Sequence, residues 1–473
     1  MATSRRQPRR RGGIARVLKI LLVVAVLAGA GLAAGPVWRH FHPGEPDLAV
    51  RYRTATGAEA DAIEPWLEIF DRSKKPVPLS EVALRYYFTA DGDVPYAFNC
   101  VEAAVGCSNL TGKVVAMDSP REGADHYLEL GFTQKAGVLE PGENSRGLQI
   151  QLFRTDHKPV KQAGDWSFDS SKRAYQEYHR VPAYLRGELA WGEEPGGHGH
   201  STAAPVTRSV PELPEGGFFD DFNYRGPKDT ALFKHGWLVR TSQGGPGIHD
   251  TWTPQGVSFP GDDQVPGGQV LQLRASTDGT RSGTRQAALG TKEAKFRVGT
   301  YAARIHFTDK PASGENGDHI NQTFFTIGGS GSKYAELDNE YMPNGGWGSV
   351  GPKLDTTTWR NARAGDRVTS TTRRSLDGWH TMVIVVQEDS VTYSVDGKTL
   401  YRSGAQYAPR ADMTAVFNTW FVDLPFAGDR AWDMKVDWFY YQSGKALSAK
   451  EAEQAAKGFR GGGVSYFDTM TAS

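Results

Sequence analysis

Cysteine is nearly absent. The 473 residues contain two, Cys100 and Cys107, too few for a disulfide-built scaffold or a cysteine-ligated metal site. An excess of charge of one sign is also missing. Lys plus Arg and Asp plus Glu both number 54, so the balance gives no reason to expect a nucleic-acid partner. Long apolar runs are confined to one, Ile20–Gly35, which excludes a multi-span membrane protein. Long helical periods are missing from residues 46–195 and 218–442, which argues against a helical or doubly wound fold.

The charge balance hides an asymmetry. Residues 1–40 carry eight Lys/Arg and no acid, so 46 bases face 54 acids in the remainder. A basic start, an apolar run and the small residues Ala28, Ala30, Ala33 and Ala34 read as a targeting segment, either a cleaved signal or a retained anchor with its basic end inside. In an exported chain, Cys100 and Cys107 read as one small disulfide loop, with two free thiols as the alternative.

Short strand-like runs follow: Trp66–Phe70, Val82–Thr89, Val114–Met117, Tyr127–Thr133 and Leu148–Arg154. Pro, Gly, Asn and Asp separate them, as in an antiparallel sandwich. Residues 196–215 lose this pattern and read as a linker, with His198 and His200 as polar filler. Strand patterns resume at Val270–Arg274, Thr300–Phe307, Gln322–Ile327, Thr381–Val386, Val391–Val395 and Met434–Tyr440. The fold class is therefore all-β: two β-sandwich (jelly-roll) domains joined by a linker, after a signal or anchor segment at 1–40. The modules span 46–195 and 216–443. Residues 444–473 read as a loose tail, with a short helix at 448–457 capped by Ser448 and Glu451.

The chemistry-bearing stretch is Glu336-Leu337-Asp338-Asn339-Glu340. In a strand, alternate side chains share a face, so Glu336, Asp338 and Glu340 line up on one side. The outer Cα atoms lie ~13 Å apart at strand rise. Two glutamates leaning together bring their carboxyl groups to roughly 5 Å, the spacing of a retaining glycosidase. Asp338 between them can hold a proton and keep the outer pKa values apart.

Two family resemblances sharpen these readings. The run Leu79–Gly92, the segment Gly106–Gly112, Tyr127–Phe132, Leu139–Gly142 and Gly187–Pro195 resemble carbohydrate-binding module family 3. The resemblance implies a jelly roll, a flat sugar-stacking strip and a structural calcium. At the strip positions this sequence has Val101-Glu102, Gln151 and His157. Without stacking aromatics, that implies a module assisting a neighbouring domain or binding another glycan, rather than an anchor on crystalline cellulose. Thr89, Asp91 and Asp165 match the calcium ligands, while Gly164 and Lys161 depart from them. Calcium favours such oxygen donors.

The second module resembles glycoside hydrolase family 16. Its pieces are Phe219–Phe222, Gly268–Leu273, Val298–Ile305, the acid strand, Asp377–His380 with Tyr393–Gly397, and Met434–Tyr440. This implies Glu336 as nucleophile, Asp338 as assisting residue and Glu340 as acid/base, on a polysaccharide of β-glucan type. The single residue between Asp338 and Glu340 points to lichenase-like or xyloglucan-active relatives. Asn339 stands where an apolar residue is usual, and the preceding strand lacks the usual tryptophans. Candidate sugar platforms are Trp347, Trp359 and Trp420, with Tyr341 and His319 as cleft residues. Asp437 and the backbone of Gly268 match a second structural calcium site. No organic cofactor is implied, and a monomer is expected. The competing reading is a non-catalytic glycan-binding or cell-wall-associated protein.

Overall fold

The computed structural model describes residues 47–197 and 211–470. The targeting segment and the histidines His198 and His200 lie outside the described residues. The architecture is all-β, with two sandwiches.

In the first sandwich, one sheet runs Gln176–Glu177, Leu48–Thr54, Pro65–Asp71, Leu148–Arg154, Tyr96–Ala103. The other runs Glu188–Trp191, Ala183–Leu185, Val82–Phe88, Ala124–Phe132, Leu110–Arg121. The inward residues of both sheets, such as Leu67, Ile69, Leu84, Leu128 and Ile150, make one core. The Cys100–Cys107 disulfide is formed.

The second sandwich pairs a nine-stranded sheet with a seven-stranded one. The seven-stranded sheet runs Trp237–Val239, Ala287–Thr291, Met413–Phe421, Ile320–Gly328, Ala335–Met342, Lys353–Asn361, Asp366–Thr372. Leu337 and Tyr341 point from it into the core shared with Phe324, Phe417 and Phe439. Alternation then sends Glu336, Asp338 and Glu340 to the opposite face.

The described part of the expected tail, residues 444–470, is not loose. Ser448 and Glu451 close a capping box, and the helix continues over Ala449–Gly461. Ala449, Ala452, Ala456 and Phe459 bury its apolar stripe against Trp438 and Tyr440. Tyr466–Asp468 then pairs with Gly217–Asp220 and extends the nine-stranded sheet. Burial of that stripe, more than helix propensity, holds the segment.

The modules are not beads on a linker, since Leu48–Ser473 is one compact unit. Val101 packs against the core of the second sandwich. The backbone N–H of Gly112 donates to Gly463 O at 2.9 Å. Ser108 Oγ accepts from the Asp468 N–H at 2.9 Å and donates to its carbonyl at 3.2 Å. His157 Nε2 donates to Phe259 O at 2.6 Å. Glu102 pairs with Lys234.

Candidate active site

Register sets the neighbours of each acid. Glu336 lies between Ile327 and Trp359, Asp338 between Phe325 and Thr357, and Glu340 between Thr323 and Asp355. All nine side chains line one cleft of about 940 Å³ on the outer face of the seven-stranded sheet. Leu238, Val239 and Arg240 wall one side of it, and Trp347 and Trp420 also line it.

Each acid has its own partner. The Tyr334 hydroxyl donates to Glu336 Oε2. Trp359 Nε1 donates to Asp338 Oδ2 at 2.8 Å. Asn321 Nδ2 donates to Glu340 Oε1 at 2.7 Å. Asp355, beside Glu340, is neutralised by Lys353 Nζ at 2.8 Å.

The electrostatics separate the three. Burial, opposed by the Asn321 hydrogen bond and reinforced by the Asp355 and Glu336 charges, pushes Glu340 up to about 7. Burial and its two acidic neighbours hold Asp338 well above the usual carboxylate range. Burial also raises Glu336, but the Tyr334 hydroxyl opposes that shift by stabilising its charge. Near neutral pH this favours a proton on Asp338 and a shared preference in which Glu340 keeps its proton longer than Glu336.

Trp347, Trp359 and Trp420 are among the residues that line the cleft, and Trp420 is 5 % exposed. Trp347 is 56 % exposed, takes a left-handed φ of 51°, and lies 6.0 Å from the Trp420 ring. His319 sits at the end of the Ile320–Gly328 strand with Nδ1 on Asp423 at 2.8 Å, outside the residues that line the cleft. Tyr341 is corrected. It is fully buried, its hydroxyl donates to Asp309, and its odd position in the strand turns it to the core. Asn339 is buried at 2 % exposure with its Nδ2 unpartnered. Tyr334, Asn321 and Arg367 were not singled out from the sequence. Arg367 lies 4.4 Å over the Trp359 ring. Tyr334 shares the even parity of the acids, and that was the available signal.

The two expected calcium sites differ. At Asp437, Oδ2 accepts from Arg304 and Oδ1 from Arg460, each at 2.7 Å. Two guanidinium groups supply the positive charge a cation would bring, so the Gly268/Asp437 expectation is corrected. At the other site, Asp165 Oδ1 accepts from the Thr89 N–H at 2.9 Å, and Oδ2 is buried without a partner. Asp91 Oδ2 is taken by the Lys161 N–H at 2.7 Å. Burial, reinforced by Asp91 and Asp125, pushes Asp165 up to about 7. No group of three or more His, Cys, Asp or Glu side chains placed to hold a metal occurs among the described residues.

Residues 49–192 match the model of the cellulose binding domain family. This stretch is a family 3 carbohydrate-binding module. Over 136 residues the chain is 42 % identical to an exoglucanase-2 of Thermoclostridium stercorarium, covering 29 % of this chain and 15 % of that protein. It is 38 % identical over 153 residues to a xyloglucanase of a Paenibacillus species, covering 32 % and 15 %. It is 37 % identical over 153 residues to the anti-sigma-I factor RsgI4 of Acetivibrio thermocellus, covering 32 % and 29 %. Among solved structures, the CBM3b of the major scaffoldin subunit ScaA from Acetivibrio cellulolyticus is 36 % identical. That match covers 32 % of this chain and 100 % of that one, with a TM-score of 0.31. The chain thus spans less than a third of the length of these curated relatives. They share the family 3 module although one is named an anti-sigma factor and two are named glucanases, so the module by itself assigns no activity.

Proposed function

We propose that the chain is an exported retaining β-glycoside hydrolase, or a transglycosylase using the same site, acting on a polysaccharide of β-glucan type. The observation that carries this reading is the trio Glu336, Asp338 and Glu340 on one face of one strand, in a cleft large enough for several sugar units. Glu336, its charge supported by Tyr334, attacks the anomeric carbon. Glu340, protonated up to about pH 7, donates its proton to the leaving oxygen. The glycosyl–enzyme ester is then opened by water or an acceptor sugar, which Glu340, now a carboxylate, deprotonates. Asp338 keeps its proton and orients the pair, held in turn by Trp359. Trp347, 56 % exposed, offers a ring face for sugar stacking.

The orphaned oxygen of Asp165 supports a structural calcium beside Thr89 and Asp91, which would order the loops of the module without taking part in the reaction. The family relationship of the module supports an extracellular setting and a polysaccharide partner.

The test is a panel of purified polysaccharides with the full chain and its Glu336→Gln and Glu340→Gln variants. The reading requires turnover on at least one β-linked polymer and losses of about 10²–10⁴-fold for Glu340→Gln. Binding to a polymer without turnover, unaltered in both variants, would instead favour a non-catalytic glycan-binding protein.

A further inference from the structure

The Cys100–Cys107 loop does more than close a turn of the first module. Its residues meet the second module at a buried polar group. His235 Nε2 donates to Cys100 O at 2.9 Å. The ring is 2 % exposed and stacks on Tyr466 at 3.6 Å, nearly parallel to it. His235 Nδ1 faces the Tyr224 hydroxyl at 2.7 Å. Tyr224 bonds to Asp220 Oδ2, and that oxygen also accepts from Trp237 Nε1 at 2.8 Å. Burial lowers the His235 pKa to about 3, so the ring is neutral, with Nε2 as donor and Nδ1 as acceptor. The single proton of the Tyr224 hydroxyl serves Nδ1, while Asp220, raised to about 7 by burial, carries its own proton and donates it to the hydroxyl oxygen.

A buried hydrogen-bond chain therefore runs from the disulfide loop through His235, Tyr224 and Asp220 to Trp237. Trp237 opens the strand Trp237–Val239, and the next residues, Leu238, Val239 and Arg240, wall the cleft. That strand is three residues long and sits at the edge of its sheet, paired among the described residues only with Ala287–Thr291. A short edge strand has few bonds of its own to fix its place.

We infer that the first module acts as a brace for the cleft, docked through its disulfide loop, with His235 as the positioning residue that ties the loop to the cleft-wall strand. The face of the module that carries Val101 and Glu102 is then an intramolecular docking surface. This inference needs the cleft only as a structure. It stands or falls separately from the chemistry assigned to Glu336 and Glu340.

The experiment is hydrogen exchange on the full chain, read on peptides covering residues 236–240, with peptides covering Ala335–Met342 as the reference. His235→Ala should speed exchange of the wall strand by about tenfold and leave the reference peptides unchanged. His235→Gln, whose amide can still donate to Cys100 O, should recover most of the protection. The Cys100→Ser, Cys107→Ser double variant, which frees the loop without touching the second module, should reproduce the His235→Ala pattern and decides the matter if His235→Ala does not fold. The inference is overturned if the wall strand keeps wild-type exchange in the loop variant. It is also overturned if exchange rises equally in the wall and reference peptides, or if His235→Gln is no better protected than His235→Ala.

Discussion

Asn321 offers a direct handle on the acid/base. Its Nδ2 donates to Glu340 Oε1 at 2.7 Å, and this bond is the main influence holding the Glu340 pKa down against burial. Replacing Asn321 with Leu keeps the branched shape and removes the donor. A hydrogen bond to a charged group contributes about 1.5–3 kcal/mol, and one pKa unit corresponds to about 1.4 kcal/mol. Loss of the bond destabilises the carboxylate relative to the acid, so the Glu340 pKa rises by about 1–2 units from its value of about 7. Glu340 must be protonated to assist the leaving oxygen, so the alkaline limb of kcat/KM should move up by the same amount. Steady-state rates from pH 4 to 10, on the best polymer of the panel, measure this. An alkaline limb that stays in place, or moves down, would refute the assignment of Glu340 as the acid and of Asn321 as its partner.

Three further outcomes follow from the same structure. Asn339→Leu removes a buried Nδ2 that has no partner and extends the apolar face of Leu337 and Tyr341. Urea unfolding should show a gain of about 1–3 kcal/mol, and a loss would mean that Asn339 has a structural partner. The Asp220 carboxyl is raised to about 7 by burial, so the folded state binds a proton the unfolded chain releases near pH 4. Its contribution is complete below about pH 4 and is lost as pH rises through about 7, at up to about 1.4 kcal/mol per unit. The melting temperature should therefore fall between pH 5 and 8, less so in Asp220→Asn. Calcium at Asp165 should raise that temperature more at pH 8 than at pH 5, because the cation competes with the proton that Asp165 holds up to about pH 7. Equal shifts at both pH values, or none, would remove calcium from this site.

The acid face was readable because strand alternation is strict, and three acids at spacing two can only share a side. The same parity places Tyr341 in the core, so its nomination as a cleft residue ignored a rule already in use. Asn321 and Tyr334 were harder to find. Glu340 meets Asn321 through the register of Ile320–Gly328 against Ala335–Met342, and a one-residue slip would bring other partners. The capping box of Ser448 and Glu451 was legible, whereas the burial of the following helix was not. Its stripe is mostly alanine, which gives little contrast along the sequence. The departures at Val101, Glu102 and His157 were visible as missing sugar contacts. That this face meets the second module depends on the fold of both parts, and no local pattern encodes it. Gly268 and Asp437 misled for a related reason, since Arg460 reaches Asp437 from a segment 23 residues further along.

Double displacement by Glu336 and Glu340 has one direct stereochemical consequence. Two inversions at the same carbon return it to its starting configuration. Proton NMR of the first products released from a β-linked polymer, recorded before the reducing ends equilibrate, reads this without any variant. The assignment predicts that the β-anomer appears first and the α-anomer grows in later by mutarotation. An α-anomer appearing first would contradict it.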